Sequence, residues 1–253
     1  MSYLLAGKSN ILIPASSSYW NTDRENPVYR GRRIDPVMSP DAALLPVLEE
    51  QHASSGDLIR NEPVSSAAIS TMVHGTVGSG MRPESQIEYK RAGISEQHAA
   101  DLQHKSEFLF NFMAARDWEV SGNYNFWETE NLFFASSLEF GDCYAIKRFV
   151  RSRALLGLSV QLVEASRVRT PPEKSADPAV RSGVRINRKT GERISIFVRD
   201  HDDCGFDFGD MHFTEVPVRN RQGERQIVIA EDPKRIGQTR GIPYLSVITN
   251  IVK

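Results

Sequence analysis

The sequence predicts an α+β fold in which a helical N-terminal layer is followed by a strand-rich half. Three observations lead to this prediction. Between residues 39 and 140, large apolar side chains recur at helical spacing. After Gly141 the spacing changes toward two, which is typical of strands. Serine and proline at predicted helix starts, and glycine at predicted ends, give these segments their boundaries.

The first 38 residues are predicted to form a flexible N-terminal arm. They contain three consecutive serines from Ser16, the pair Asn26-Pro27 and three arginines between positions 30 and 33. No hydrophobic period is sustained through them, and turn-forming residues without such a period favour a loop. We therefore divide the chain into this arm, a helical part over residues 39–140 and a β-rich part over residues 141–253.

Four helices are predicted in the helical part. Serine can cap the first, and proline at the first turn loses no hydrogen bond because that N–H has no partner in a helix. The first predicted helix begins at Ser39-Pro40-Asp41. The second runs from near Asn61-Glu62-Pro63 to the glycines Gly75, Gly78 and Gly80. The third runs from Ser95 to near Asp117, and the fourth spans residues 125–140. Their apolar stripes, which we expect to pack on the core, are Leu44, Leu45, Leu48 and His52, then Ala67, Ala68, Met72 and Val73, then Leu102, Leu109, Phe112 and Met113, then Phe126, Leu132, Phe133 and Leu138.

The β-rich part alternates apolar and polar residues. Strands are predicted at residues 143–146, 158–163 and 226–230, and residues 183–198 are predicted to form a hairpin around a polar turn that contains Gly191. A last helix is predicted to begin at Ile242-Pro243.

Composition excludes several classes of protein. The 253 residues are 40% hydrophobic, and 31 basic against 32 acidic side chains give a net charge of −1. No run reaches the roughly 18 to 20 apolar residues that span a bilayer, and the start lacks a basic leader, so we expect neither membrane insertion nor secretion. Cys143 and Cys204 lie far apart without a CxxC motif, which excludes a disulfide framework or a zinc ribbon and predicts reduced thiols.

The near-neutral total hides two charged stretches. Residues 147–193 carry twelve basic and four acidic side chains, a net charge of +8. The following stretch, from Arg199 to Glu215, carries six acidic side chains against one arginine. A basic stretch can contact nucleic acid, but it can also be a solvated or subunit-facing surface, and no recognition helix, aromatic RNA-binding pair or zinc-finger spacing decides between these.

No pattern predicts catalysis, a cofactor or a metal site. His201, Asp202, Asp203, Cys204 and His212 have the right side chains for a metal, but their spacing is that of an acidic loop rather than of paired ligands. Gly78-Ser79-Gly80 lacks the third glycine of a dinucleotide loop, and neither a phosphate-binding loop nor a nucleophile elbow is present. The sequence alone leaves open the alternative of a catalytic pair that only the fold brings together.

Five stretches, in order, resemble the lambda-like family of tailed-bacteriophage portal proteins. They are a helix-and-glycine block over residues 57–83, a helix that ends in Gly-Asp over residues 125–142, a "LIEPDRVxTP"-like stretch over residues 162–171, a glycine-bounded stretch over residues 183–192, and a "RPGQTRGVP"-like stretch over residues 237–243. The residues that match the family motifs are Arg60, Asn61, Pro63, Gly78, Gly80, Gly141, Asp142, Arg167, Thr170, Pro171, Gly237, Gln238, Thr239, Arg240, Gly241 and Pro243. Five matches in the right order make coincidence improbable.

The resemblance implies a structural function. Portal proteins of this kind form a ring, commonly of twelve subunits, at one vertex of the capsid, and double-stranded DNA is packaged and ejected through its axis. The fold is then expected to be like the wing of a portal subunit. The implied partners are a terminase motor, scaffold and head-completion proteins, and the implied location is the virion, with the host cytoplasm during assembly. No residue is assigned to face the DNA.

A ring needs two different flanks on each subunit that fit each other. The basic and acidic stretches are candidates for these flanks, and reversing Arg185 and Arg188 to glutamate is then expected to weaken assembly. Members of the family are about twice as long, so the chain is expected to be truncated before the rest of the subunit. The alternatives are a different ring-forming head-tail connector and a metal-dependent nuclease that uses His201, Asp202, Asp203 and His212.

Overall fold

A computed structural model describes residues 38–116, 118–150, 157–200 and 212–247, together with the backbone of two short strands near the N-terminus. Those strands, β1 (Tyr3–Leu5) and β2 (Leu12–Pro14), pair in antiparallel fashion. The chain divides into two compact units, Met1–Met38 and Ser39–Lys253. The sequence did not predict the hairpin of the first unit, because three-residue strands are too short to show a period.

The second unit begins with helices. In the described residues they are α1 (Pro40–Leu44), α2 (Leu48–Asn61), α3 (Pro63–Thr76), α4 (Tyr89–Ala92), α5 (Glu96–Ala114) and α6 (Phe126–Phe140). The single helix predicted from Ser39 is wrong in one respect, since a 3-10 turn, Leu45–Val47, separates α1 from α2. Pro46 explains the break because its ring lacks the N–H that would continue the α-helical ladder.

Three predicted helix starts are confirmed by their caps. The side chains of Ser39, Ser95 and Asn125 each accept a hydrogen bond from a backbone N–H of the first turn, at 3.2, 3.2 and 3.0 Å. At α6 the Glu128 carboxylate also accepts from the Asn125 backbone N–H at 2.9 Å, which completes a capping box. Such a cap typically contributes about 1 kcal/mol.

The helical core lies among α2, α3 and α6. Leu58, Ile69 and Val73 are buried together with Leu245, which lies on a 3-10 turn, Tyr244–Val247. That turn begins where the last helix was predicted, and residues 248–253 lie outside the described part of the chain. The C-terminal segment therefore packs against the helices at the start of the unit.

The expectation that the stripe on α5 packs on the core is wrong for part of its length. Leu102 and Leu109 are about 40% exposed, and Phe108 is 68% exposed. The helix is held at its C-terminal end, where the ring of Phe110 lies 5.9 Å from that of Trp118 and 5.1 Å from that of Phe126. Helical spacing shows which side chains share a face, but it does not show whether the subunit covers that face.

Seven strands in the described part of the second unit form two antiparallel sheets. One sheet has the order β4-β3-β9 and the other the order β5-β6-β7-β8. The strands are β3 (Asp142–Phe149), β4 (Leu158–Glu164), β5 (Val180–Arg181), β6 (Val184–Ile186), β7 (Arg193–Arg199), β8 (Phe213–Pro217) and β9 (Ile227–Glu231). The predicted strands and hairpin are confirmed, whereas β5 and β8 were missed.

The two sheets share one apolar core. Its buried members come from both sheets and include Tyr144, Ile146, Val184, Ile196 and Ile227. Burying one such aliphatic side chain contributes about 1.5 to 3 kcal/mol. The change of period after Gly141 thus reports a real change from helix packing to sheet packing, and the α+β prediction is confirmed. In the described residues, no helix is both long and apolar enough to cross a membrane.

Candidate functional site

A buried ion pair joins the start of β3 to the C-terminal loop. The Arg240 guanidinium donates from Nε to Asp142 Oδ2 at 2.7 Å and from Nη2 to Asp142 Oδ1 at 3.0 Å. Both side chains are 1% exposed. Two parallel bonds of this kind fix the position of both groups as well as neutralising them.

The remaining donors of Arg240 reach backbone carbonyls on two other segments. Nη1 donates to the carbonyls of Val168 and Ser182 at 3.0 and 2.7 Å, and Nη2 donates to the carbonyl of Ala165 at 3.0 Å. A single side chain therefore joins the C-terminal loop to β3, to the turn after β4 and to the turn between β5 and β6. We call this network, centred on Asp142 and Arg240, the motif junction.

Two glycines let the backbones approach at the motif junction. Gly141 ends α6 with φ +86°, a left-handed conformation that favours glycine. A Cβ on Gly241 would lie 1.8 Å from the Gly141 carbonyl oxygen, and a Cβ on Gly141 would lie 2.5 Å from the backbone of Ile242. The Gly241 N–H donates to Asp142 Oδ2 at 2.9 Å, so the close approach also completes the carboxylate's hydrogen bonds.

A second buried carboxylate, Asp41, holds the residue before Arg240. Asp41 is 6% exposed and accepts from the Thr239 N–H at 2.8 Å and from the Thr239 hydroxyl at 2.5 Å. It also accepts from Arg181 Nη1 at 2.7 Å. This pair of contacts ties α1 to the C-terminal loop across 198 positions of sequence.

A third ion pair lies on the other side of Thr239. Arg193 donates to both carboxylate oxygens of Glu231 at 2.5 and 2.6 Å, and it donates to the Thr239 carbonyl at 3.0 Å. Arg193 begins β7 and Glu231 ends β9. The pair therefore connects the two sheets at the same place where the C-terminal loop passes.

The loop after β4 meets the hairpin of the second sheet. Thr170 Oγ1 accepts from the Gly183 N–H at 2.9 Å, and Pro171 is fully buried. Gly183 has φ +82°, and a Cβ there would lie 2.6 Å from the backbone nitrogen of Arg169. Arg167 donates to the Arg199 carbonyl at 2.8 Å and to the Asp200 carbonyl at 3.1 Å, so it holds the end of β7.

Other motif residues complete the C-terminal loop. Gly237 has φ +82°. The Gln238 amide donates to the Arg240 carbonyl at 2.6 Å and its oxygen accepts from the Lys234 N–H at 3.1 Å. Pro243 is buried just before the 3-10 turn. The structure thus brings together the motif residues of the second, third and fifth stretches, along with Gly183 of the fourth.

The motif residues of the first stretch lie elsewhere, in the helical layer. Asn61 donates to Asp57 Oδ1 at 2.7 Å at the end of α2, Arg60 is exposed, and Pro63 begins α3. Gly78 and Gly80 follow α3 with positive φ angles. A Cβ on Gly80 would lie 2.2 Å from the Trp127 ring, so this glycine allows the chain after α3 to pass against α6.

Residues 30–251 match the family model described as phage portal protein, lambda family. The chain belongs to the lambda family of phage portal proteins. A search of curated proteins found no match. The match covers most of the chain, including the motif junction and the helical layer, and it confirms the resemblance seen in the sequence. Members of this family are generally structural rather than enzymatic proteins.

The electrostatics of the motif junction indicate that it has a structural role in this portal protein. Burial raises the pKa of Asp142, but the Arg240 guanidinium and its hydrogen bonds outweigh burial and hold that pKa below its usual range. For Arg240 burial acts in the opposite sense, yet the Asp142 carboxylate raises its pKa above the usual range. Both groups are therefore charged, paired and inaccessible. Next to them, burial raises the pKa of the Cys143 thiol to about 12, which makes it a poor nucleophile.

The metal candidates from the sequence do not form a described site. His201, Asp202, Asp203 and Cys204 lie outside the residues that the structure describes, and His212 is exposed at the start of the β8 segment. Among the described residues there is no group of three or more side chains that could hold a metal ion. The family match favours the portal interpretation over the nuclease alternative and over a different head-tail connector.

The two charged stretches contact each other within one chain. Arg185 donates to Glu215 Oε1 at 2.9 Å, and the Ser195 hydroxyl donates to the same oxygen at 2.5 Å. Arg185 also lies over the Phe197 ring, 5.1 Å from its centroid. Arg185 is thus already paired in the subunit, whereas Arg188 is exposed and has no acidic partner among the described residues.

Sequence reasoning missed four side chains that hold Thr239, next to the motif junction, or pair with the residues that hold it. They are Asp41, Arg181, Arg193 and Glu231. In the sequence, Asp41 indicates only a helix start, where an acidic residue is ordinary. Arg193 and Glu231 have no local signal in the sequence, since Arg193 begins one strand and Glu231 ends another. The only available signal was Gly-Gln-Thr-Arg-Gly itself, because a conformationally special loop that contains arginine needs partners for its donors.

Proposed function

We propose that the chain is a subunit, or part of one, of a ring at the unique vertex of a phage capsid, through which double-stranded DNA is packaged and ejected. The observation that carries this proposal is the match of residues 30–251 to the lambda portal family. A ring of commonly twelve subunits, and partnership with a terminase motor, scaffold and head-completion proteins, follow from the family resemblance. The finished ring resides in the virion and is assembled in the host cytoplasm.

The structure supports a mechanical function. A conduit must keep its shape while DNA moves past it. The motif junction, with the Asp41 and Arg193–Glu231 contacts beside it, ties α1, both sheets and the C-terminal loop through buried and half-buried charges. The ion pairs Asp142–Arg240 and Arg193–Glu231 are both bidentate, which fixes orientation as well as distance. Energy for DNA movement then comes from the motor, since the sequence contains no phosphate-binding loop.

The charge of the subunit suits DNA that must slide. Duplex DNA carries one negative charge per about 1.7 Å of axis, and every lumen-facing charge is repeated in each subunit of a ring. A strongly basic lining would hold the DNA tightly. A net charge of −1 per chain is compatible with weak and distributed contacts instead.

Particle imaging of the purified protein tests the proposal. We expect closed rings with a central hole wide enough for duplex DNA, and a sedimentation coefficient far above that of a 28.4 kDa monomer. A protein that stays monomeric at every concentration, or a closed particle without a central hole, would contradict a conduit function. Addition of scaffold protein to the same sample shows whether assembly requires that partner.

A further inference from the structure

A cavity of about 630 Å³ opens between the two sheets, beside the C-terminal loop. Its apolar lining includes Ile236, which is exposed, and Val218 and Ile229, which are half-buried. The Arg193–Glu231 pair also lines it. We call this cavity the basic groove, because its lining contains five arginines against the two acidic residues Glu192 and Glu231.

Three arginines of the basic groove are available for an anionic ligand. Arg181 and Arg193 are neutralised by Asp41 and Glu231, whereas Arg188, Arg219 and Arg225 are exposed and have no acidic partner among the residues that the structure describes. Arg219 and Arg225 lie opposite each other in an antiparallel bridge. Like charges in that position repel each other, so an anion between them would relieve a cost that the isolated subunit carries.

The chemistry of the basic groove favours an acidic peptide that also carries apolar side chains. Apolar groups of a ligand would cover Ile236 and Ile229, and carboxylates would pair with the unneutralised arginines of the lining. The phosphate backbone of a duplex could satisfy the arginines, but it offers nothing to the isoleucines and meets a concave surface poorly. A peptide segment therefore fits both parts of the groove.

This chain itself contains such a segment. Residues 200–211 carry five aspartates, Phe206 and Phe208, and no lysine or arginine. Asp200 and His212, the residue that follows the segment, lie together, since the Asp200 N–H donates to the His212 carbonyl at 3.0 Å. That point is at the far end of β7 from Arg193, and six residue steps along a strand span about 20 Å. The chain therefore enters and leaves the acidic segment at the end of β7 opposite to Arg193, which lines the groove.

We propose that the basic groove binds the acidic segment, residues 200–211, of a neighbouring copy of this chain. Opposite ends of one element that fit each other make a head-to-tail contact, which is the type that closes a ring. The inference rests on the proposed ring function and adds to it the surfaces that join the subunits. It also replaces Arg185, which is paired within its own chain, by Arg188 and Arg225 as the arginines that matter for assembly.

The first test is charge reversal in the full chain. Arg188→Glu combined with Arg225→Glu is expected to abolish rings at concentrations where the unchanged protein forms them, as measured by sedimentation and particle imaging. Arg221→Glu is the matched control, because Arg221 is exposed between Arg219 and Arg225 but does not line the groove. Circular dichroism confirms folding of each variant. Rings that form equally well in the double variant would overturn the inference.

The second test exchanges the charges. Asp207→Lys with Asp210→Lys should also abolish rings, and combining all four changes in one chain should restore them. If both pairs abolish assembly but the combination does not restore it, the two surfaces do not meet and the assignment is wrong.

The third test is independent of ring formation. A labelled peptide of residues 200–211 should bind the chain, and Arg188→Glu with Arg225→Glu should weaken this binding at least about tenfold, which corresponds to 1.4 kcal/mol. Binding should also weaken with added salt. If the unchanged protein forms no rings, the ring proposal fails while the peptide still tests the groove. Absent peptide binding, or binding of a short DNA duplex that is lost in the same variant, would overturn the acidic-segment inference.

Discussion

The Asp142→Asn substitution tests whether the motif junction holds the fold. Asp142 accepts three hydrogen bonds, two from Arg240 and one from the Gly241 N–H. The amide would keep one oxygen, turn an NH₂ group toward a donor and leave the guanidinium without an anion at a site that is 1% exposed. Breaking a buried pair in this way costs about 3 to 5 kcal/mol. This is a large share of the roughly 5 to 15 kcal/mol that stabilises a typical domain.

The exposed pair Lys234–Asp232 offers a matched control. The Asp232 side chain is 73% exposed and that of Lys234 is 54% exposed. Since exposed pairs contribute about 0 to 1 kcal/mol, Asp232→Asn should change stability very little. Urea unfolding, followed by tryptophan fluorescence and circular dichroism, compares the midpoints of the variants. With a slope of about 2 to 3 kcal/mol per molar, Asp142→Asn should lower the midpoint by more than about 1 M.

The pH dependence gives a second measurement on the unchanged protein. Because the pKa of Asp142 is lower in the folded state than in the unfolded chain, the carboxylate binds protons less readily when folded. Its contribution is fully present above the ordinary carboxyl pKa of about 4 and is lost as the pH falls through the lower folded value. The Asp142→Asn variant should lack this acid-dependent loss. Equal midpoints for the variant, its control and the unchanged protein would refute the assigned role of the junction.

Three further predictions concern single residues. Gly241→Ala should prevent stable folding, because its Cβ would lie 1.8 Å from a backbone oxygen. Gly75→Ala, in an open helical position, is the control and should stabilise the fold by up to about 1 kcal/mol. Thermal unfolding of the two variants checks both expectations. Burial, followed by a nearby guanidinium, lowers the pKa of His52 to about 4, so the free energy of unfolding should fall as the pH drops from about 6.5 toward 4, and His52→Gln should show a smaller fall in urea titrations. In a Cys204→Ser variant, the buried Cys143 should react with a thiol reagent at pH about 8 only after denaturant is added; rapid reaction of the folded protein would contradict its raised pKa.

The layers of the fold could be predicted from the sequence because local signals set them. The side-chain caps at Ser39, Ser95 and Asn125 and the change of period after Gly141 are properties of adjacent residues, and all are confirmed. The missed strand β8 is five residues long and half exposed, so its apolar pattern is weak. Pro46 is a local signal for the break between α1 and α2, and the prediction of a single helix did not include it.

The motif junction could be predicted only in part because its partners are distant in sequence. The matching motifs identified Asp142, Thr239 and Arg240, but nothing local indicated that they contact one another. Asp41 lies 198 positions from Thr239. A buried carboxylate looks the same in sequence as an exposed one, and only its partners distinguish them. The prediction for α5 is wrong for a related reason. Periodicity shows which side chains share a face of a helix, but it does not show whether another element covers that face.

The motif junction and the basic groove share one loop, which links stability to assembly. Residues 237–239 line the groove, and Arg240, the next residue, is fixed by Asp142. Variants of the junction should therefore lower both unfolding stability and ring formation, because loss of the loop's anchor removes a wall of the groove. Arg188 and Arg225 are exposed and hold no buried partner, so their reversal should affect assembly alone. The two classes of variant separate a contact between subunits from the framework that positions it, and a ring defect without a stability defect is the signature of the former.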